Sequence, residues 1–117
     1  MISAFQSALT GLQAYGTKAQ SHANNIANAN TDGYKSTRVI LQSAEPQGVK
    51  TKVEKVNTPG PQVFQQTNNG EELVELSNVD LAKELTYSNL NSHMYKANLK
   101  TIQATDEMLG SLLKIKT

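Results

Sequence analysis

Stepping through the first thirty residues by threes and fours meets Ile2, Phe5, Leu9, Leu12, Gly16, Ala19, Ala23 and Ile26, every one apolar or small. A repeat of this spacing predicts a helix packed lengthwise against another helix. At 1.5 Å per residue it extends about 42 Å. The stripe tapers from bulky residues to Gly16, Ala19 and Ala23, and small residues let helix axes approach closely. The helix runs into ANNIANANTDGYK, residues 23 to 35, which crowds Asn24, Asn25, Asn28 and Asn30 into a short span. Asparagine favours caps and turns over helix interiors, because its amide competes for local backbone groups. Asp32-Gly33 supplies a stop signal, so the helix end is expected between Ala29 and Asp32. The four amides are expected to bond backbone or a second helix there.

From Ser36 to about Glu75 no helical period survives, and all three prolines, Pro46, Pro59 and Pro61, fall here. VKTKVEKV, residues 49 to 56, alternates as a short strand does, and QVFQQ, residues 62 to 66, is its possible partner across the turn signal TPGP. The expectation for this middle is irregular chain with at most one β-hairpin.

The last forty residues contain no proline. Ser77 or Asn78 can cap a second helix, with Asp80 in its first turn, and the helix could run about 57 Å. At 100° per residue it shows two apolar faces. One carries Leu81, Leu85, Tyr95, Leu99, Ile102, Leu109 and Leu113, and the other Val79, Leu90, Met94, Ala97, Ala104, Met108, Leu112 and Ile115. One face suffices for an intramolecular partner. We therefore expect Ile2, Phe5, Leu9, Leu12, Ala19, Ala23 and Ile26 to pair with Leu85, Leu99, Ile102, Leu109 and Leu113. Val79, Leu90, Met94, Met108, Leu112 and Ile115 are then left for neighbouring subunits. The expected fold is mainly α: long N- and C-terminal helices paired as an antiparallel coiled coil, with a short irregular or β-hairpin middle. It divides into residues 1–35 (helix and Asn-rich turn), 36–76 (middle) and 77–117 (C-terminal helix), together one structural domain.

Composition sharpens this picture. With 117 residues, 38% hydrophobic and 5% aromatic, the chain falls below the usual apolar content of about 45–50% for a compact domain. Its core should be thin or shared with neighbours. Eleven basic against ten acidic residues leave a net charge of +1, too little to hold a polyanion, so no nucleic-acid partner is expected. Cysteine is absent, which removes thiol nucleophiles and thiolate metal sites. No stretch approaches the roughly 20 apolar residues of a membrane helix, and the N-terminus lacks the features of a cleaved secretory signal. His22 and His93 have no second ligand at helical spacing, so no metal site is expected. Glu71, Glu72 and Glu75 read as a solvated cluster in a polar linker ahead of the second helix rather than as paired catalytic acids. No phosphate loop or nucleophile motif occurs. The expectation is a protein that is no enzyme, with no catalytic residues, no cofactor, no metal and no small-molecule substrate. A soluble coiled-coil adaptor or chaperone-like binding module is the alternative to an assembling subunit.

SALTGLQA, residues 7 to 14, followed by ANNIANANTDGYK, together with SNVDLAKEL at 77 to 85 and YKANLKTIQATDEML at 95 to 109, resembles the axial rod and hook proteins of the bacterial flagellum. The short middle is most like that of the short proximal basal-body rod proteins. In this motif the resemblance singles out Asn24, Asn25, Asn28, Asn30, Gly33 and Tyr34. It implies a structural rod subunit that assembles through its terminal helices into a helical tube, with other copies and related axial subunits as partners. It also implies delivery by the flagellar export apparatus to the periplasmic rod without a cleaved signal peptide, and a role in motility.

Overall fold

The computed structural model describes residues 1–116. Thr117, the last residue of the expected C-terminal helix, lies outside the described residues. In chain order the elements are α1 (Ile2–Ala27), β1 (Thr37–Ser43), β2 (Val49–Lys55), β3 (Gln62–Thr67), β4 (Gly70–Glu75) and α2 (Leu81–Lys116). The molecule is a rod of 80 × 24 × 19 Å. Its long axis is that of α2, whose 36 residues extend about 54 Å, beside the 26 residues of α1 at about 39 Å.

The helices run antiparallel. His22 meets Glu84, the Tyr15 carbonyl meets Asn91, and Met1 lies beside Met108 and Leu112. What they bury between them is not the bulky stripe. The buried residues of α1 are Ala8, Gly11, Ala14, Ser21 and Asn25, and those of α2 are Asn91 and Thr105. Gly11 marks a close approach, since a Cβ there would stand 2.5 Å from Asn98 Oδ1. Both helices are thus held together by small and polar side chains.

The expectation of a mainly α chain with a single hairpin in an irregular middle is corrected here. The middle is two antiparallel hairpins, β1 with β2 and β3 with β4, each a separate two-stranded sheet. VKTKVEK pairs backwards with TRVILQS, from Thr37 opposite Lys55 to Ser43 opposite Val49, and not forwards with QVFQQ. QVFQQT pairs with GEELVE across a two-residue Asn68-Asn69 turn. The physical reason lies in residues 56 to 61, which are committed elsewhere: Val56 N–H donates to the Ser36 carbonyl (2.8 Å), and Leu76 N–H donates to the Pro61 carbonyl (2.7 Å). TPGP therefore separates two hairpins instead of closing one. The three glutamates Glu71, Glu72 and Glu75 lie in β4, not in a linker.

Two boundaries are also corrected. α1 stops at Ala27, one turn early, with Asn28 as its C-cap. α2 is capped by Asp80, whose Oδ1 accepts the Lys83 N–H at 3.2 Å, because Asn78 is engaged elsewhere.

The first hairpin lies along α1. Thr10 Oγ1 accepts the Val49 N–H at 3.1 Å, and Gln47 donates to Gln6 at 3.0 Å. Gly48, at φ +98°, passes so near Thr10 that a Cβ would come within 2.6 Å of its hydroxyl. The second hairpin touches neither helix nor the first hairpin.

Two glycines make opposite expectations. A Cβ on buried Gly60 would collide with the Leu76 backbone carbonyl, whereas at Gly16, inside α1, it meets open space. Gly60→Ala should therefore destabilise by about 2 kcal/mol or more, and Gly16→Ala should stabilise by about 0.5–1 kcal/mol through helix propensity alone. Urea unfolding followed by circular dichroism separates the two signs.

Candidate functional site

The chain crosses itself at a neck built from residues 33–37, 56–60 and 75–78, against the C-terminal end of α1. Asn25 is its centre and is fully buried. Its Nδ2 donates to the Thr37 carbonyl (2.7 Å) and to Glu84 Oε1 (3.1 Å). Its Oδ1 accepts from the Thr37 N–H (2.9 Å) and the Tyr34 hydroxyl (3.1 Å). One amide thus joins α1, the strand that leaves it and α2. Only an amide offers donors and acceptors on one planar group in this way.

A second asparagine performs the matching task on the return path. Asn78 Oδ1 accepts the Ser36 N–H (2.7 Å), and its Nδ2 donates to the carbonyls of Val56 (2.8 Å) and Thr58 (2.9 Å). Gly33 N–H donates to the Glu75 carbonyl at 2.8 Å. Glu75 itself is hydrogen-bonded by Lys35 Nζ and by the Gly60 N–H. Those two contacts, Lys35 first, hold its carboxyl below the ordinary glutamate value of 4.5, against a smaller opposing effect of burial. On the first hairpin Glu54 is likewise lowered, by Lys52 and then Arg38.

Beside the neck, His22 Nδ1 lies 2.7 Å from Glu84 Oε2, and its ring stacks on Tyr87 with centroids 6.5 Å apart. Facing a carboxylate, Nδ1 must be the donor. The pair clamps α1 to α2 from positions 62 residues apart. His22 Nε2 and Asn91 Oδ1 are buried with no hydrogen-bond partner among the described residues. Both residues line a cleft of about 630 Å3 among α1, α2 and the first hairpin. Among the described residues no group of three His, Asp or Glu is placed to hold a metal ion.

The family-motif residues separate by role. Asn25 and Tyr34 enter the neck, and Gly33 sits there at φ +70°. Asn28 bonds back to the Asn24 carbonyl at 2.8 Å, while Asn24 and Asn30 face outward. Of the residues expected to pair the helices, Leu12, Ile26 and Ile102 are half-buried. Ile2, Phe5, Leu9, Ala19, Ala23, Leu85, Leu99, Leu109 and Leu113 are exposed, Ile2 by 71%. Of those expected to meet neighbours, Val79 is half-buried, while Leu90, Met94, Met108, Leu112 and Ile115 are exposed, Ile115 by 81%. Met1, Met108, Leu112 and Ile115 line an open apolar groove of about 590 Å3 at the far end of the rod. Sequence reasoning missed Asn78, Glu84, Thr37 and Asn91. The one local signal is Asn78 as a candidate helix cap, a task that Asp80 performs instead.

Residues 71–115, which span nearly all of β4 and α2, match the family described as flagellar basal body rod FlgEFG protein C-terminal. Over that stretch the chain is similar to the C-terminal part of flagellar basal-body rod proteins. No curated protein matches the chain significantly. Among the described residues no helix is long and apolar enough to cross a membrane.

Replacing Asn25 by Ala strands the Thr37 N–H and the Tyr34 hydroxyl inside the neck and leaves the Thr37 carbonyl with Ser21 alone, and should destabilise by about 3 kcal/mol. Asn24→Ala should stay within about 0.5 kcal/mol. Equilibrium urea titrations of both variants provide the comparison.

The lowered Glu75 carboxyl sets a pH dependence. Its folded pKa lies below 4.5, so its stabilising contribution is complete above 4.5 and is lost as pH falls through the folded value. Wild type should exceed Glu75→Gln in stability at neutral pH, and the gap should close on acidification below 4.5. Denaturant midpoints measured across that range would show it, and a gap that stays constant would contradict it.

Proposed function

We propose that this chain is a structural subunit of the bacterial flagellar basal-body rod, and that it assembles through its terminal helices with other copies and related axial subunits into a helical tube. The observation that carries this reading, beside the family match, is where the apolar side chains lie. Among the described residues the only buried hydrophobic residues are Ala8 and Ala14, while twenty large hydrophobics are exposed. The accessible surface is 8261 Å2, against about 6200 Å2 for a compact monomer of 12.7 kDa. A patterned helix that turns its leucines and methionines outward along most of its length is suited to several neighbours at once.

In this reading the neck sets the angle between the paired helices and the hairpins, and the hairpins decorate the outside of the tube. The subunit is delivered by the flagellar export apparatus and works in the periplasmic part of the basal body.

The discriminating test uses Leu90→Asp with Met94→Asp. Both side chains are exposed, so the isolated chain should keep its helical circular dichroism. In cells lacking the gene, wild type should restore rods visible in isolated basal bodies and swimming, and the double variant should leave both at the deletion level. Normal rods in the deletion strain, or full swimming with the variant, would overturn the reading.

A further inference from the structure

The two hairpins carry opposite charge. Residues 37 to 55 hold Arg38, Lys50, Lys52 and Lys55 against Glu45 and Glu54, whereas residues 62 to 75 hold Glu71, Glu72 and Glu75 and no cation. Glu54 already engages Arg38 at 3.1 Å and Lys52 at 2.9 Å, and Glu75 is engaged by Lys35. That leaves Lys50 and Lys55 on one hairpin and Glu71 and Glu72 on the other with no ion-pair partner among the described residues.

These charges sit on open edges. Each sheet has two strands, so β2 beyond Val49 and β4 ahead of Glu75 each present an edge with no strand beside it. The second hairpin is tied to the neck at Glu75 but packs on neither helix nor the first hairpin, and a two-stranded ribbon without packing is marginal in water. It also exposes an apolar cross-strand pair, Phe64 opposite Leu73, at 73% and 53%.

We propose that the second hairpin of one copy docks on the first hairpin of a second copy, with β4 alongside β2, Glu72 facing Lys50 and Lys52 on one face of the sheet and Glu71 nearest Lys55 on the other, and the two ribbons joined into one four-stranded sheet. The inference rests on the subunit reading and names a contact that reading does not contain. Backbone pairing supplies the attachment. The charge pattern supplies orientation, since like-signed hairpins repel. Surface ion pairs are individually weak and are screened by salt, so the contact should weaken as ionic strength rises.

Two experiments on the full-length chain test it. In sedimentation, Glu71→Lys with Glu72→Lys and, separately, Lys50→Glu with Lys52→Glu should each self-associate at least about tenfold more weakly than wild type. A one-to-one mixture of the two reversed chains should regain association, because each then offers the other its complement. Because the chain has no cysteine, mixing a Glu72→Cys chain with a Lys52→Cys chain under oxidation should trap a disulfide heterodimer. Gln42→Cys, on the far strand of the first hairpin, should trap much less. Reversed chains that associate like wild type, a mixture that fails to recover, equal trapping through Gln42→Cys, or a wild type that shows neither association nor trapping would each overturn the contact. Loss of rod incorporation by Leu90→Asp with Met94→Asp, together with indifference to charge reversal, would sink this contact and leave the subunit reading standing. The converse pattern would sink the subunit reading alone.

Discussion

A single carboxamide decides how this chain is arranged. Asn25 lies in the last turns of α1, where helix propensity disfavours it, and its side chain is entirely enclosed. An enclosed amide is tolerated only when its donors and acceptors are satisfied. Here they are satisfied by the backbone of Thr37, the hydroxyl of Tyr34 and the carboxylate of Glu84, which belong to the outgoing strand, the turn and the other helix. The exit direction of the chain from α1, the start of β1 and the height at which α2 passes are therefore coupled. Asn78 repeats the arrangement for the incoming chain, and the Lys35–Glu75 pair closes the ring on the outer side.

The character of the helix pair follows from what surrounds that neck. Ala8, Gly11, Ala14 and Ser21 keep the axes close, and Asn91 and Thr105 meet them with groups that bond backbone. Close approach leaves no room between the helices for leucine or phenylalanine. The larger side chains are turned to the flanks, where Phe5, Leu9, Leu99, Met108 and Leu112 stay exposed. The division of labour is physical: small and polar residues satisfy the pair, and bulky ones remain for other chains. The same asymmetry appears in the hairpins, the first braced on α1 through Thr10 and Gln6, the second standing free with Phe64 and Leu73 uncovered.

Much of this was legible in the residues themselves. Both helices are declared by periodicity and the absence of proline, the end of the first to within about a turn by Asn-rich sequence and Asp32-Gly33, and the strand of residues 49 to 55 by alternating Val and Thr. RVIL was not legible as a strand, because three consecutive apolar residues show no alternation. GEELVE was not legible either, because its acids read as solvated linker. The partner of VKTKVEK was misassigned because proximity across TPGP was the only local information. Among the asparagines, nothing in sequence separates Asn25, which organises the neck, from Asn24 beside it, which faces outward.

By itself the sequence determined the helices, the thin core, the near-neutral charge and the likeness to flagellar axial proteins, because periodicity, composition and motif are properties of residues close along the chain. Only the tertiary structure decided which stripe of α1 is buried, which strands pair, and that His22 meets Glu84 across 62 positions. Those outcomes depend on which polar groups can be satisfied together in space. One buried amide, met from three directions, settles that competition in a way no local window contains.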